Sequence, residues 1–349
     1  MSNLLDYSYE EIENIVLSLG EKKFRAKQIF EAIYNYKQVS EISNLSKEFL
    51  QKLEQSYEIS SLSIYKKLQG KDGTIKYLYK LGDGNIIEGV LMSYKYGNTL
   101  CVSTQVGCRM GCKFCASTLG GLVRNLSAGE ILSQVLCVNR DLGGTFKDRK
   151  ITNIVLMGSG EPLDNYDNVV KFLRLVSSPN GINKSQRNIS LSTCGLVDKI
   201  DLLAKEDLQI TLTISLHAPN DEIRKKTMPI ANKYSVSALI SATKRYFEKT
   251  KRRIVFEYAL ISGVNDTFDC AKDLSELFRG MSCHVNLIPL NEVKERNLIG
   301  TTRKRAYAFM DKLNELGISA TVRRTMGEDI EGACGQLRAK VIKEGKWKV

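Results

Sequence analysis

The feature that most constrains this chain is a regular alternation, from about residue 98 onward, of short apolar runs and longer amphipathic runs. The short runs TLCVST, ITNIVLM, NISLST, ITLTISL, RIVFEYAL, CHVNLIPL and SATVRR are typical of strands. The segments between them have the apolar spacing of helices, and the first of these helices is opened by a capping box from Ser127 to Glu130. Six or seven such units imply a parallel sheet that is closed or partly closed into a barrel. The sequence therefore predicts an α/β fold whose functional residues lie at the carboxyl ends of the strands.

Two smaller regions precede this alternating core. The first has apolar residues at helical spacing over 9–19, 22–36 and 46–57, which predicts a small helical domain. The second contains the strand-like runs IKYLYKL and NIIEGVLM, separated by a turn rich in Gly and Asp, and predicts a short β-meander. We expect a helical accessory domain, a β-meander extension, the alternating core and a basic C-terminal tail, with bounds at 1–60, 61–97, 98–335 and 336–349.

The charge of the chain is positive and unevenly distributed. Its 349 residues include 51 Lys and Arg against 39 Asp and Glu, which gives a net charge of +12. Residues 1–60 carry seven basic and ten acidic side chains, so this region is net −3 and the remainder is +15. The sum of the basic clusters in the larger part favours a polyanionic partner such as nucleic acid.

The hydropathy and the termini predict a cytoplasmic protein that binds no membrane. No run approaches the roughly 18 consecutive apolar residues that a membrane span needs, and the acidic N-terminus is unlike a secretory signal. A reducing compartment disfavours structural disulfides, so the nine cysteines are expected to bind metal, to act in catalysis or to be buried. With only two histidines, a chemistry that rests on several imidazoles is excluded.

Three cysteines are gathered just after the first strand of the core, in the segment CRMGCKFC. Thiolates from Cys108, Cys112 and Cys115 could ligate three irons of a cubane cluster and leave the fourth iron open. The alternatives are a structural zinc ion completed by a distant Cys or His, or chance clustering in a loop. Zinc loops usually pair two such knuckles, and the sequence has no second one, so the spacing favours the cluster.

Polar and glycine residues also follow the later strands. The segment MGSGEP comes directly after ITNIVL, where Gly158 and Gly160 allow close backbone approach to a ligand and the Glu161 carboxylate can accept hydrogen bonds from a cationic amine. Single polar residues end three more strands, namely Ser192, Ser215 with His217, and Asn291. Each alone could be a capping or turn residue, or a packed histidine, but all of them lie where a barrel mouth would present them.

The cysteine spacing resembles that of the radical S-adenosylmethionine superfamily, in which CxxxCxxC follows the first strand of a partial (β/α)6 TIM-type barrel. This resemblance implies that Cys108, Cys112 and Cys115 hold a [4Fe-4S] cluster and that S-adenosylmethionine chelates the fourth iron. It further implies a set of residues that bind the cofactor, namely Gly160, Glu161, Ser192, Ser215, Leu216, His217 and Asn291.

A closer resemblance covers nearly the whole chain. The segments TLCVSTQVGCRMGCKFCAS, MGSGEPLDN, SLHAPND, VNLIPLN and MGEDIEGACGQL, together with the N-terminal FRAKQIFEAIY, are similar in order and spacing to the RlmN and Cfr family of adenosine methyltransferases. The resemblance implies methylation of an adenosine in 23S rRNA at the peptidyl transferase centre, and of adenosine 37 in tRNA. It also implies an electron donor such as flavodoxin or ferredoxin, and a monomeric protein.

The same resemblance assigns roles to three residues outside the cofactor set. Adenine C2 is electron-poor and not nucleophilic, so its methyl group must arrive by a radical route. In the family, one S-adenosylmethionine methylates a cysteine, here Cys334, and a second one generates the radical that activates this methyl group, so two are used per turnover. The activated methyl carbon then adds to the base and joins the protein covalently to the RNA. Glu88 then matches the proton acceptor, and Cys101 releases the product by forming a transient disulfide with Cys334.

Several alternatives remain open at the level of sequence. Pro162 and Ala218 resemble the branch of the family that modifies C2, whereas Cfr-like enzymes modify C8; Ser159 and Cys194 depart from the usual pattern. A non-enzymatic, metal-stabilised RNA-binding protein would also account for the charge and the cysteines. Without the resemblance, Glu88 would be expected to face solvent, and Cys101 would be expected to be a buried structural cysteine.

Overall fold

A computed structural model describes residues 1–35, 37–59, 62–145, 147–291, 295–324 and 326–330. The N-terminal and meander regions contain β1 (Ser2–Asn3), α1 (Tyr9–Ser18), α2 (Arg25–Tyr34), α3 (Lys47–Glu54), β2 (Tyr57–Glu58), β3 (Ser63–Gln69), β4 (Ile75–Lys80) and β5 (Ile86–Tyr94). The first part of the core contains β6 (Gly97–Cys101), β7 (Gln105–Gly107), β8 (Leu122–Asn125), α4 (Ala128–Asp141), β9 (Ile151–Leu156), α5 (Tyr166–Ser177), β10 (Ile189–Thr193) and α6 (Val197–Leu203). The remainder contains β11 (Thr211–Ser215), α7 (Asp221–Thr227), α8 (Val236–Thr250), β12 (Ile254–Leu260), α9 (Phe268–Leu277), β13 (Cys283–Pro289), α10 (Arg303–Glu315) and β14 (Ala320–Val322).

Ten strands form one continuous sheet, in the order β14-β13-β12-β11-β10-β9-β6-β5-β4-β3. The seven strands from β14 to β6 pair in parallel, and β6 to β3 continue as an antiparallel meander. No strand pairing within the described ranges joins β14 to the opposite edge, so the barrel is partial. The predicted α/β fold with a partial parallel barrel is confirmed.

The two faces of the strands carry different side chains. In β12, Phe256 stacks on Phe278 beyond α9 and Tyr258 stacks on Phe309 of α10, so these residues fix the helical layer outside the sheet. The alternate residues Glu257 and Ala259 line an interior cavity. Because successive side chains of a strand point to opposite faces, the alternation in RIVFEYAL separates packing residues from cavity residues.

The helices largely begin and end where the sequence predicts. Ser127 caps α4 by accepting a hydrogen bond from the Glu130 N–H at 3.2 Å, and the Glu130 carboxylate accepts the Ser127 N–H at 3.0 Å, which confirms the predicted capping box. The helix predicted over 22–36 is shorter in the structure, where it is α2 (Arg25–Tyr34). Helix α7, the β7–β8 hairpin and the β1–β2 pair were not predicted.

The N-terminal helices pack directly on the barrel. The backbone of Leu5 lies where a side chain on Gly129 would otherwise stand, and the Asp6 carboxylate accepts the Gly129 N–H at 2.6 Å. Lys171 of α5 forms an ion pair with Glu11 of α1 at 3.0 Å. The buried apolar residues of both regions consequently form one core. In the part of the chain that the structure describes, every helix is too short or too polar to cross a bilayer.

Candidate active site

A cavity of about 310 Å³ opens where the parallel strands end, at the position that the barrel pattern predicts. Residues from β5 and from β9 to β13, from the loop between β7 and β8 and from the segment after β14 line it. Nearly all of the metal and cofactor residues predicted from the sequence lie in this lining, namely Cys108, Cys112, Cys115, Gly160, Glu161, Ser192, Ser215, His217 and Asn291.

The cysteine loop forms one end of the cavity. Its Cys108 N–H donates to the Gly121 carbonyl at 2.9 Å, and its Lys113 N–H donates to the Thr227 carbonyl at 2.9 Å, so the hairpin β7–β8 and helix α7 hold the loop from two sides. In the described chain, no three His, Cys, Asp or Glu side chains converge on a point that could hold a single metal ion. A cubane cluster asks for a different arrangement, because each thiolate ligates its own iron.

The donor set fits such a cluster by its chemistry. Three thiols surround one end of a largely apolar cavity, where water is excluded from a redox group. Burial raises the pKa of the Cys108 thiol to about 12 and also raises the pKa of Cys112. These thiols are therefore neutral in the chain alone, and ligation to iron must release their protons.

The turn at residues 158–160 is clamped to the chain that follows β6. The Gly158 N–H donates to the Val102 carbonyl at 3.0 Å, and the Ser159 N–H donates to the Ser103 hydroxyl at 2.8 Å. Gly160 has φ +106°, and a Cβ built on it would lie 2.7 Å from the Gln105 nitrogen. Only glycine fits this close approach. The close approach therefore determines where this part of the cavity wall lies.

The Glu161 carboxylate has structural partners already. It is buried and accepts the Cys194 N–H at 2.7 Å and the Leu163 N–H at 3.0 Å. Burial raises its pKa, and the backbone donors work against that shift. Glu161 thus joins the end of β9 to the end of β10 while one side of it faces the cavity.

Polar side chains from three neighbouring strands meet on the cavity wall. The hydroxyls of Ser192 and Ser215 lie 3.3 Å apart, and Ser192 Oγ lies 3.4 Å from Glu257 Oε2. Glu257 was not predicted as a site residue, yet it is buried and lines the cavity. Its Oε1 accepts no hydrogen bond from the described residues, and Arg323 Nη1 lies 3.8 Å away. Burial raises the pKa of Glu257.

His217 presents a neutral ring to the cavity. Its Nδ1 accepts the Ala259 N–H at 2.9 Å, so the ring proton resides on Nε2, which becomes a donor. The ring also contacts Phe114 edge-on, with centroids 4.8 Å apart. Burial, together with the nearby Arg224 guanidinium, lowers the pKa of His217 to about 3. The ring is therefore a hydrogen-bond donor throughout the physiological pH range.

This low pKa predicts a pH dependence of stability. The unfolded chain has an ordinary histidine pKa near 6.5, so below that pH it binds a proton that the folded chain does not, and stability is lost as the pH falls. From pH 7 to pH 5, the free energy of unfolding should fall by about 2 kcal/mol less in His217→Gln than in the wild type. Urea unfolding of the cluster-free protein measures this difference. His284→Gln is the comparison: burial also lowers the pKa of the half-buried His284, so this variant should show a smaller difference of the same sign. Equal slopes for His217→Gln and wild type would contradict it.

Two predicted cofactor residues differ in their placement. Asn291 follows β13 and lines the cavity on its exposed side. Leu216 is fully buried and is not part of the lining; its carbonyl accepts a hydrogen bond from Arg224 Nε at 3.1 Å. Leu216 can therefore contribute to the site only through its backbone.

Glu88 and Cys101 lie on the sheet face that continues the cavity wall. Val90 and Met92 of β5 line the cavity, and Glu88 stands two residues before Val90 on the same face. Cys101 is the register partner of Val90 and packs with it in a small apolar cluster that includes Met92. The expectation that Glu88 faces solvent is wrong, because it is buried and pairs with the fully buried Lys76 at 3.6 Å. Cys334 lies outside the described residues.

Several buried charged residues were not predicted from the sequence, among them Lys76, Arg224 and Glu257. Lys76 and Glu257 interrupt apolar strand runs, IKYLYKL and RIVFEYAL, and a charge at such a position was the available signal. Arg224 lies in DEIRKKT, where its charged neighbours make it indistinguishable from an exposed charged residue in the sequence.

Comparisons with known proteins agree with this geometry. A family model for the radical SAM superfamily matches residues 102–274, and a model for the ribosomal RNA large subunit methyltransferase N-terminal domain matches residues 2–59. A solved structure, a radical SAM methyltransferase from Sphaerobacter thermophilus, superposes with a TM-score of 0.90 at 41% identity, over 96% of this chain and 99% of that one.

Curated relatives match over their full length. A protein of Clostridium perfringens strain 13, named "Probable dual-specificity RNA methyltransferase RlmN", is 56% identical over 98% of both chains. A protein of the same name from Clostridium acetobutylicum is 52% identical over the whole of both chains. These matches leave no support for a non-enzymatic RNA-binding protein. With its fold, its cavity and relatives of this similarity, the chain belongs to the RlmN family of radical S-adenosylmethionine RNA methyltransferases.

Proposed function

We propose that this protein methylates C2 of an adenosine in 23S rRNA, at the peptidyl transferase centre, and of adenosine 37 in tRNA. The observation that carries the proposal is the shared cavity, which brings the cysteine loop, the strand-end polar residues and the β5–β6 face together. The relatives named dual-specificity RNA methyltransferases support both RNA substrates. Pro162 and Ala218 favour C2 over the Cfr-like C8 position.

The cofactors follow from the residues that line the cavity. Cys108, Cys112 and Cys115 would hold a [4Fe-4S] cluster, and the cavity would receive S-adenosylmethionine against Gly160, Glu161 and the strand-end hydroxyls. When bound, these groups supply the one-electron chemistry and the methyl group, two S-adenosylmethionine molecules being used per turnover. The chain orients the cofactor, and its apolar walls exclude water.

Glu88 is proposed as the group that takes the ring proton from the methylated adenine. Its carboxylate lies on the same strand face as the cavity-lining residues Val90 and Met92, and the ion pair with Lys76 fixes its position there. The Ser103 hydroxyl donates to the Glu88 carbonyl at 2.7 Å and accepts the Ser159 N–H. The backbone of the proton acceptor is thereby joined to the turn that lines the cofactor cavity.

Cys101 and Cys334 are proposed as the resolving thiol and the methyl carrier. Met326 packs against the cluster of Val90, Met92 and Cys101, and it precedes Cys334 by eight residues. The segment after β14 therefore passes directly beside Cys101. The Gly327 N–H donates to Asp72 at 2.8 Å, which fixes this segment on the β3–β4 turn.

The proposed partners follow from charge and from the redox step. The +15 excess of residues 61–349 would bind rRNA and tRNA phosphates, and a flavodoxin or ferredoxin would supply electrons to a monomeric, cytoplasmic enzyme.

The test of function is mass mapping of methyladenosine in 23S rRNA and tRNA from cells with and without the gene. We expect 2-methyladenosine in both RNAs to vanish without the gene and to return with the wild-type chain but not with Cys112→Ala. The exposed Lys113→Gln serves as control and should restore it. Finding 8-methyladenosine would replace C2 by C8, and loss from rRNA alone would remove tRNA as a substrate. Unchanged RNA would contradict the proposal.

A further inference from the structure

Helix α7 buries an arginine beside the cysteine loop. Arg224 is fully buried, and among the described residues its guanidinium donates only to backbone carbonyls: from Nε to Leu216 at 3.1 Å, and from Nη2 to Cys194 at 2.6 Å and Ser215 at 3.4 Å. These carbonyls belong to the ends of β10 and β11, which line the cofactor cavity. The guanidinium therefore lies directly behind the cavity wall.

The charge of Arg224 has no matching carboxylate among the described residues. Its Nη1 is buried without a hydrogen-bond partner in this part of the chain. Burial is the main cause that lowers its pKa. Asp221 uses its carboxylate to accept the Val236 N–H at 2.7 Å. Because guanidinium stays protonated in proteins, the fold carries a buried positive charge, which is costly unless something negative accompanies it.

The neighbourhood of Arg224 indicates where that negative charge comes from. Thr227, at the end of the same helix, accepts the Lys113 N–H of the cysteine loop at 2.9 Å. Cys112 and Cys194 pack together with Met228, which directly follows the helix. The helix that carries the unmatched cation is thus docked on the loop that carries the proposed iron ligands.

We propose that Arg224 is the buried counter-charge of the iron–sulfur cluster, which helps to retain the cluster and makes it easier to reduce. The inference rests on the proposed function in that the three cysteines must hold the cluster. A cubane cluster on three thiolates is net negative, and one-electron reduction adds a further negative charge. A fixed cation in a site without water stabilises the reduced form more than the oxidised one, because the attraction grows with the cluster's charge.

The competing explanation is that Arg224 serves only to tie the carbonyls of two strand ends together. Such a role would affect folding but not the reduction potential of the cluster. Arg224→Lys keeps the charge and loses the forked carbonyl contacts, whereas Arg224→Gln keeps a donor and loses the charge. Lys113→Gln is a matched control, since Lys113 is next to a cysteine ligand but is exposed to solvent.

The experiment is a potentiometric titration of the iron-loaded proteins, followed by electron paramagnetic resonance, with no RNA and no S-adenosylmethionine. At a fixed ambient potential, Arg224→Gln should lower the ratio of reduced to oxidised cluster roughly tenfold, which corresponds to about 59 mV for one electron. Arg224→Lys should change the ratio by less than about threefold, and Lys113→Gln by less than about twofold because water screens its charge. Iron content and circular dichroism are measured on the same samples.

Each outcome decides the proposal. Loss of iron in Arg224→Gln but not in Arg224→Lys, with both chains folded, supports it. A wild-type ratio in Arg224→Gln, or an equal loss in both Arg224 variants, overturns it. If Arg224→Gln does not fold, the charge-free variant Arg224→Met takes its place: a roughly tenfold lower ratio supports the counter-charge, and a wild-type ratio overturns it. A wild-type chain that binds no cluster would instead refute the proposed function.

Discussion

Replacing Cys101 by alanine should leave the enzyme covalently joined to its RNA. In the proposed mechanism the Cys101 thiol releases the product, so without it the protein–RNA adduct formed through Cys334 accumulates and turnover falls at least about a hundredfold. Cys101 lies in a small apolar cluster with Val90 and Met92, where alanine fits without adding bulk, so the variant should fold. A denaturing gel would show a slow band that nuclease removes.

Two further variants serve as controls for this result. Cys137→Ala removes a half-buried thiol from α4, outside the cavity lining, and should turn over normally without an adduct. The double variant Cys101→Ala/Cys334→Ala should form no adduct, because the carrier is gone. Normal turnover by Cys101→Ala would remove its resolving role and would leave Cys101 as a buried structural cysteine.

A single methyl group on Gly160 should disable the cofactor cavity. The Cβ of Gly160→Ala would lie 2.6 Å from Gln105 Cβ and 2.7 Å from the Gln105 nitrogen, at a φ of +106° that alanine strongly disfavours. The turn must move away from the chain after β6 or the protein must lose more than about 3 kcal/mol of stability. Binding of S-adenosylmethionine, measured by isothermal titration, should weaken at least about tenfold.

Gly263→Ala separates the two causes of this loss. Gly263 also has a positive φ, of +70°, but a Cβ there meets nothing within 4 Å. Its replacement should cost only about 1–2 kcal/mol of stability from backbone strain and leave cofactor binding unchanged. Equal cofactor binding by Gly160→Ala and Gly263→Ala would show that close approach at Gly160 does not shape the cavity.

The sequence predicted the strands of the barrel well because each is a compact apolar run. RIVFEYAL became β12 with nearly the expected bounds, and the strand ends carrying Ser192 and Ser215 met in one cavity as parallel strands require. Helix α7 was missed because its sequence, DEIRKKT, has one apolar side chain and therefore shows no helical period.

Sequence could not show which charged residues turn inward. The period-two alternation of a strand separates its side chains into two faces. Which face turns inward is determined by the elements that pack against the opposite face. Glu257 is inward because Phe256 and Tyr258 are held by the outer helices, and Lys76 is inward because Tyr77 and Tyr79 belong to the main core. Arg224 is harder still, since its burial depends on carbonyls from two distant strand ends.

The continuity of the ten-stranded sheet limits how this enzyme can be dissected. Strand β5 pairs with β6 along five residue pairs, and β6 is also the first parallel strand. A chain trimmed to start after the meander would leave β6 as a bare edge, prone to pair with other chains, and would discard the wall that holds Glu88. The parallel barrel alone is therefore not a minimal enzyme, and the meander is an integral part of the fold. Exchanging the meander between relatives therefore also exchanges part of the cavity wall.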